Sequence, residues 1–156
     1  MSQGIKYLLD TNALIALRGA VHGRPPKDPT RAQQAELIKA KLQTIPAQDV
    51  AMSPITLGEL RHWVEKHDQR DKAEALLTQL RQKVRCVGLD SDLPAQASWP
   101  EHYGKTLSAL EKAGKTIGTN DLWIAAHALS LGATVVTNNT EEFERVPDLR
   151  LVDWTK

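Results

Sequence analysis

Apolar residues in this chain recur in two rhythms, short unbroken runs and stripes spaced three or four apart, and the two alternate. Lys6–Leu9 is a short run that ends in Asp10-Thr11-Asn12 and gives way to Ala13-Leu14-Ile15-Ala16-Leu17. Such a run bounded by polar residues predicts a buried strand, and the residues after it a helix with Thr11 or Asn12 as its cap. Gly19–Pro29, with two glycines, three prolines, His22, Arg24 and Lys27, predicts a mobile basic loop. Ala32, Ala35, Leu37, Ile38 and Leu42 place a helix over Thr30–Leu42. A short strand is expected over Asp49–Met52. Ser53-Pro54 then supplies a cap and a first-turn proline, and the helix that follows carries Ile55, Leu57, Leu60, Trp63 and Val64, with Glu59 among them.

Farther on, Asp71 is placed to cap a helix whose stripe is Ala73, Leu76, Leu77, Leu80 and Val84, forming a helical hairpin with the preceding one near Gln69 and Arg70. A third strand is expected over Val84–Leu89, with Cys86 as a small core residue. Asp90–Pro100 reads as irregular. Tyr103–Ala113 reads as a helix that Gly114 ends. Thr119-Asn120-Asp121 opens another, closed by Gly132, and Ala133–Thr137 is a β-branched strand running into Asn138-Asn139. Arg150–Val152 is the last strand. Strands alternating with helices imply right-handed crossovers and an α/β fold, its parallel sheet covered on both faces.

With 156 residues the chain makes one domain and buries a substantial core. A hydrophobic fraction of 41% and a charged fraction of 25% are those of ordinary soluble proteins. The net charge of +1 gives no global attraction to nucleic acid, so any such contact needs a local patch. One cysteine excludes an internal disulfide framework and fits a reducing cytoplasm. No apolar run approaches the roughly 20 residues that span a bilayer, and the N-terminus lacks the layout of a signal peptide.

Three acids stand beside buried-looking residues: Asp10 at a strand end, Glu59 on an apolar helix face, and Asp121 in a first helical turn. Each has a structural explanation as well as a chemical one. Asp121 suits its helix dipole, and Glu59 can reach solvent from its face. Asp10 is harder to explain so, because a cap residue normally follows a strand rather than ending it, and ligands of open α/β sheets bind beyond the carboxyl ends of the strands. Carboxylates crowded at one rim raise one another's pKa unless a cation holds them. Oxygen donors without a cysteine or histidine cluster select Mg²⁺ or Mn²⁺. A carboxylate-bound metal activates water and neutralises charge on a phosphodiester, so the residues alone point to metal-dependent phosphoryl hydrolysis.

Leu8-Leu9-Asp10-Thr11-Asn12, the Glu59 helix, Asn120-Asp121-Leu122-Trp123-Ile124-Ala125-Ala126-His127-Ala128 and Val136-Thr137-Asn138-Asn139 resemble, in order and spacing, the motifs of PIN-domain nucleases. The ending from Thr137 to Pro147 followed by Leu149-Arg150-Leu151 is similar to the VapC branch, the toxins of VapBC toxin–antitoxin pairs. The resemblance implies a three-layer α/β/α sandwich around a parallel sheet of four to five strands. It implies an endoribonuclease dependent on Mg²⁺ or Mn²⁺, cutting structured RNA (often tRNA), silenced by a cognate antitoxin and usually a homodimer. By position, Asp10, Glu59 and Asp121 match the family's catalytic and metal-binding acids.

The chain departs from the family at a fourth acid, where Asn139 stands in place of a common aspartate. Glu141 or Glu142 is placed to supply the charge. Thr11, Asn12 and Thr137 are candidates to orient the carboxylates, with Thr11 and Asn12 also explicable as caps. His127 reads as packed in its helix, and the four tryptophans as core or interface. Arg18 and Arg61 are the candidates for RNA contact among scattered basic residues. The Pro54–Arg81 hairpin is the expected partner groove. A haloacid-dehalogenase phosphatase requires an aspartate where Asn12 stands, and a receiver domain a lysine that Thr137-Asn138 does not offer. A degenerate PIN domain that binds without cutting is the other alternative.

Overall fold

The computed structural model describes residues 4–21, 27–89 and 98–156. Five strands, β1 (Tyr7–Leu9), β2 (Val50–Met52), β3 (Arg85–Cys86), β4 (Thr134–Val136) and β5 (Leu151–Val152), form one sheet in the order β3-β2-β1-β4-β5, with every pairing parallel. Helices α1 (Thr11–Val21), α2 (Pro29–Gln43), α3 (Pro54–Lys66), α4 (Arg70–Lys83), α5 (Trp99–Ala113) and α6 (Thr119–Leu131) complete the α/β/α sandwich. Strand order turns back at β1, the central strand, so the end of β1 lies at the topological switch point of the sheet.

Alternation along the strands divides the core in two. Leu9, Val50, Met52 and Val136 face a layer built from Leu14, Leu17, Ile38, Leu60, Val64, Leu77 and Leu80 on α1 to α4. Leu8, Ala51 and Val135 face the opposite layer, with Leu110, Leu122, Ile124, Ala125 and Phe143. Both faces of the sheet are covered, which is why its strands read as unbroken apolar runs. Among the described residues, no helix is long and apolar enough to cross a membrane.

Local signals fix most helix ends. Ser53 Oγ accepts the Ile55 N–H at 3.2 Å with Pro54 in the first turn. Gly114 and Gly132 close α5 and α6 at φ of 67° and 68°, a left-handed conformation that glycine adopts without strain.

Four expectations are corrected. Backbone helix continues through Gly19 to Val21, and Pro29 opens α2, so the expected loop is shorter at both ends; residues 22–26 lie outside the described part. Proline at the start of a helix continues it rather than breaking it. Gln69, not Asp71, precedes α4: His67 Nδ1 accepts the Gln69 N–H at 3.0 Å and Glu65 takes Arg70 through two bonds of 2.9 Å, which tightens the turn. The third strand shrinks to Arg85–Cys86, because as an edge strand it pairs only with Ala51 and Met52, and Cys86 is half-buried. Trp99 and Pro100, expected to be irregular, form the first turn of α5; residues 90–97 lie outside the described part.

Candidate active site

The end of β1 is pinned before its side chain acts. The Asp10 N–H donates to the Val136 carbonyl at 3.0 Å, and its own carbonyl accepts the Leu14 N–H at 3.2 Å. Asp10 is therefore the hinge between strand and helix. Its Oδ1 accepts the Ala13 N–H at 2.8 Å, which makes Asp10 itself the cap of α1 rather than Thr11 or Asn12. Its Oδ2 is buried and has no hydrogen-bond partner. One oxygen serves the fold and the other has no partner in it.

That second oxygen is expensive to bury as an anion. Burial, first of all, lifts the Asp10 pKa from 3.8 to about 6, and the Glu59 charge adds to it. Thr137 Oγ, the Ala13 N–H and the Asn12 side chain pull the other way, though neither Thr137 nor Asn12 closes a hydrogen bond onto Oδ2.

Glu59 reaches the site from α3. The Thr11 hydroxyl donates to its Oε1 at 2.5 Å, tying the first residue of α1 to the middle of α3. Thr11 thus orients a carboxylate across two helices. Thr137, fully buried at the end of β4, accepts the Asn139 N–H at 3.0 Å and donates to the Asn139 carbonyl at 3.2 Å. Asn139 closes that turn with its backbone while its side chain is exposed.

Asp121 lies in the first turn of α6. Burial pushes its pKa from 3.8 to about 7, aided by a hydrogen bond with the Glu142 side chain and by the charges of Glu142, Asp10 and Glu59. Glu142 is held below the ordinary carboxylate range by Asp121 and by the Gly118 N–H, which donates to its Oε1 at 3.0 Å. Of the two acids considered for the missing charge, Glu142 is the one that faces Asp121; Glu141 is exposed.

Asp10, Glu59, Asp121 and Glu142 therefore share one electrostatic site, in which every added negative charge raises Asp121. Among the described residues, no three acidic, histidine or cysteine side chains converge tightly enough to enclose an ion as they stand. The donor set nevertheless fits a hard cation: oxygens only, one buried and unpartnered, mutually repelling.

Arg18 sits over the Trp63 ring, 5.1 Å from its centroid, and Arg61 is paired with Glu74 on α4. His127 is buried, with burial lowering its pKa. Trp99, Tyr103 and Trp123 pack as one cluster, Trp99 and Trp123 at 4.5 Å, and Trp154 packs on Tyr7.

Residues 7–149 match the family described as PIN domain. The chain is 37% identical over 154 residues to ribonuclease VapC1 of Haemophilus influenzae, covering 96% of this chain and 98% of that protein. It is 30% identical over 151 residues to the tRNA(fMet)-specific endonuclease VapC of Shigella flexneri, covering 97% and 99%. In structure it is similar to VapBC2 from Rickettsia felis bound to a DNA fragment from their promoter, with a TM-score of 0.77, 28% identity and 96% and 99% of the two chains covered. VapBC-1 from nontypeable Haemophilus influenzae gives a TM-score of 0.76 at 33% identity over 97% of this chain and 100% of that one. With the family matched over residues 7–149 and 37% identity to a VapC ribonuclease over nearly the full length of both chains, the protein belongs to the PIN-domain family, on its VapC branch.

Proposed function

We propose that the chain is a metal-dependent endoribonuclease, the toxin of a toxin–antitoxin pair, that hydrolyses phosphodiester bonds in structured RNA such as tRNA. The observation that carries this is the buried, unpartnered Asp10 Oδ2 at the carboxyl edge of the sheet, in a site whose charges Glu59 and Asp121 share. Support comes also from relatives named as ribonucleases, one of them specific for tRNA(fMet), and from VapBC structures.

Asp10, Glu59 and Asp121 are the residues that would hold Mg²⁺ or Mn²⁺. When bound, the ion supplies Lewis acidity toward the phosphodiester and lowers the pKa of water. The protein does the rest. Asp10 is locked by strand and helix bonds and presents Oδ2 without rearrangement, while the Thr11 hydroxyl fixes the rotamer of Glu59. Asp121 and Glu142 hold a proton whose release falls near neutral pH, so an ion bound there would displace it and would bind more tightly as pH rises.

A non-cutting PIN domain is the second reading, favoured because no three acids converge on one point among the described residues. One assay separates them. Purified chain free of any partner, given Mg²⁺ or Mn²⁺ and bulk bacterial tRNA, cleaves it, and the Asp10→Asn chain does not. Metal-independent binding of tRNA without cleavage establishes the non-cutting reading.

A further inference from the structure

Beside the acids lies a cavity of about 410 Å³ between α1 and α2, within the range of ligand pockets. Its polar lining is Asn12, Arg18, Arg31, Gln34 and Asn138, and no carboxylate is among the lining residues. Two of these residues tie the cavity to the site: Asn12 lies two positions after Asp10, and Asn138 directly follows Thr137.

Arg18 and Arg31 lie close enough to repel, and burial together with the Arg31 charge lowers the Arg18 pKa. Among the described residues neither has a carboxylate partner, whereas Arg61 and Arg70 on the neighbouring hairpin are both paired with acids. Arg18 is half-buried and held on the Trp63 face, so its position is set before any ligand arrives. Two neighbouring guanidiniums on one cavity, without an acid, call for an anion that accepts from both. The planar guanidinium fork matches phosphate oxygens. The three side-chain amides suit a sugar hydroxyl or a base edge.

We propose that this cavity is a subsite for the nucleotide adjoining the cut bond, with Arg31 and Arg18 holding its phosphate and Gln34 and Asn138 contacting its sugar or base. The proposal rests on the nuclease reading. It places the positive charge needed for RNA in one groove of a chain that is nearly neutral overall, and it assigns Arg31 and Gln34 roles that the acids alone do not require.

The test uses the full chain carrying Asp10→Asn, so that RNA is bound and not consumed, with fluorescein-labelled bulk tRNA followed by anisotropy at several salt concentrations. Adding Arg31→Ala raises Kd about tenfold and lowers the slope of log K against log salt by about one. Arg31→Lys recovers the slope and only part of the affinity, and Lys112→Ala on α5 changes neither. Unchanged Kd and slope for Arg31→Ala, in a parent that binds tRNA, overturns the subsite and leaves the nuclease reading standing. Failure of the parent to bind tRNA, together with failure of the wild type to cut it, overturns both. Loss of antitoxin binding with unaltered tRNA binding also overturns the subsite and makes the cavity a protein contact.

Discussion

The Asp121 and Glu142 carboxyl groups share a hydrogen bond, and the proton resides on Asp121: its pKa is raised to about 7 while that of Glu142 is held down. Burial of Asp121 comes first in this asymmetry, and the Gly118 N–H adds to it by stabilising the Glu142 anion. Replacing Glu142 by Gln removes a neighbouring charge and provides an N–H donor to Asp121, both of which favour the ionised form. The acid limb of the cleavage rate against pH therefore moves to lower pH in Glu142→Gln. A limb that stays in place or moves up would show that the pair does not govern it.

Stability should also follow pH. Asp10 and Asp121 both have folded pKa values above the ordinary 3.8, so the folded chain binds these protons more tightly than the unfolded chain. That contribution is fully present below about pH 4 and is lost as pH rises through about 6 and about 7. For Asp10 the loss is on the order of 3 kcal/mol. With chelator present, Tm is expected to be higher at pH 5 than at pH 8. Mg²⁺ or Mn²⁺ should raise Tm at pH 8 and do little at pH 5, since the ion competes with the protons.

Asp10→Asn separates folding from chemistry. Asn retains an oxygen for the Ala13 N–H and sheds the buried charge, so at pH 8 without metal its Tm should exceed that of the wild type by several degrees. Cleavage of tRNA should fall by about a hundred- to a thousandfold or to background, on the order of removing one group that stabilises the transition state. Expressed in bacteria without an antitoxin, the wild type should arrest growth, and either Asp10→Asn or Asp121→Ala should relieve the arrest.

Thr11 acts through Glu59. Thr11→Val keeps the shape of the side chain and deletes the donor to Glu59 Oε1. Cleavage should fall about 10–100-fold while Tm changes little, and Thr11→Ser should restore most of the activity. A large fall in Tm with unchanged cleavage would reduce Thr11 to a structural role.

The helix stop at Gly132 depends on backbone alone. A methyl group there meets nothing within 4 Å, yet φ is +68°. Gly132→Ala should lower stability by about 1–2 kcal/mol, measured by urea denaturation, without affecting cleavage.

What the residues announced locally, the structure reproduces. β1, β4, the Ser53-Pro54 start of α3, the Asp121 start of α6 and the glycine stops all depend on side chains within a few positions of one another. Some of what they did not announce was local, as at the Gln69 start of α4 and the Trp99-Pro100 start of α5, and the rest depends on partners distant in the chain. The length of β3 is set by how much of β2 remains open at the sheet edge. Whether Glu141 or Glu142 meets Asp121 depends on the phase of a short 3₁₀ turn at Phe143–Arg145, which no periodicity reveals. The Arg18–Arg31 proximity comes from packing α1 on α2. The capping role of Asp10 was legible in principle, since Ala13 stands three residues on. It was hidden because Asp10 read as the last residue of the strand, where a cap does not sit, whereas β1 stops at Leu9 and Asp10 is the link to α1.

The double duty of Asp10 has an evolutionary side. A lineage released from selection for cutting RNA can exchange Asp10 for asparagine in a single nucleotide step and keep its architecture, or even gain in robustness. Inert descendants of such a chain should therefore persist, fold well and still engage their partners, and catalytic competence in a homologue should be judged from this one position before any other.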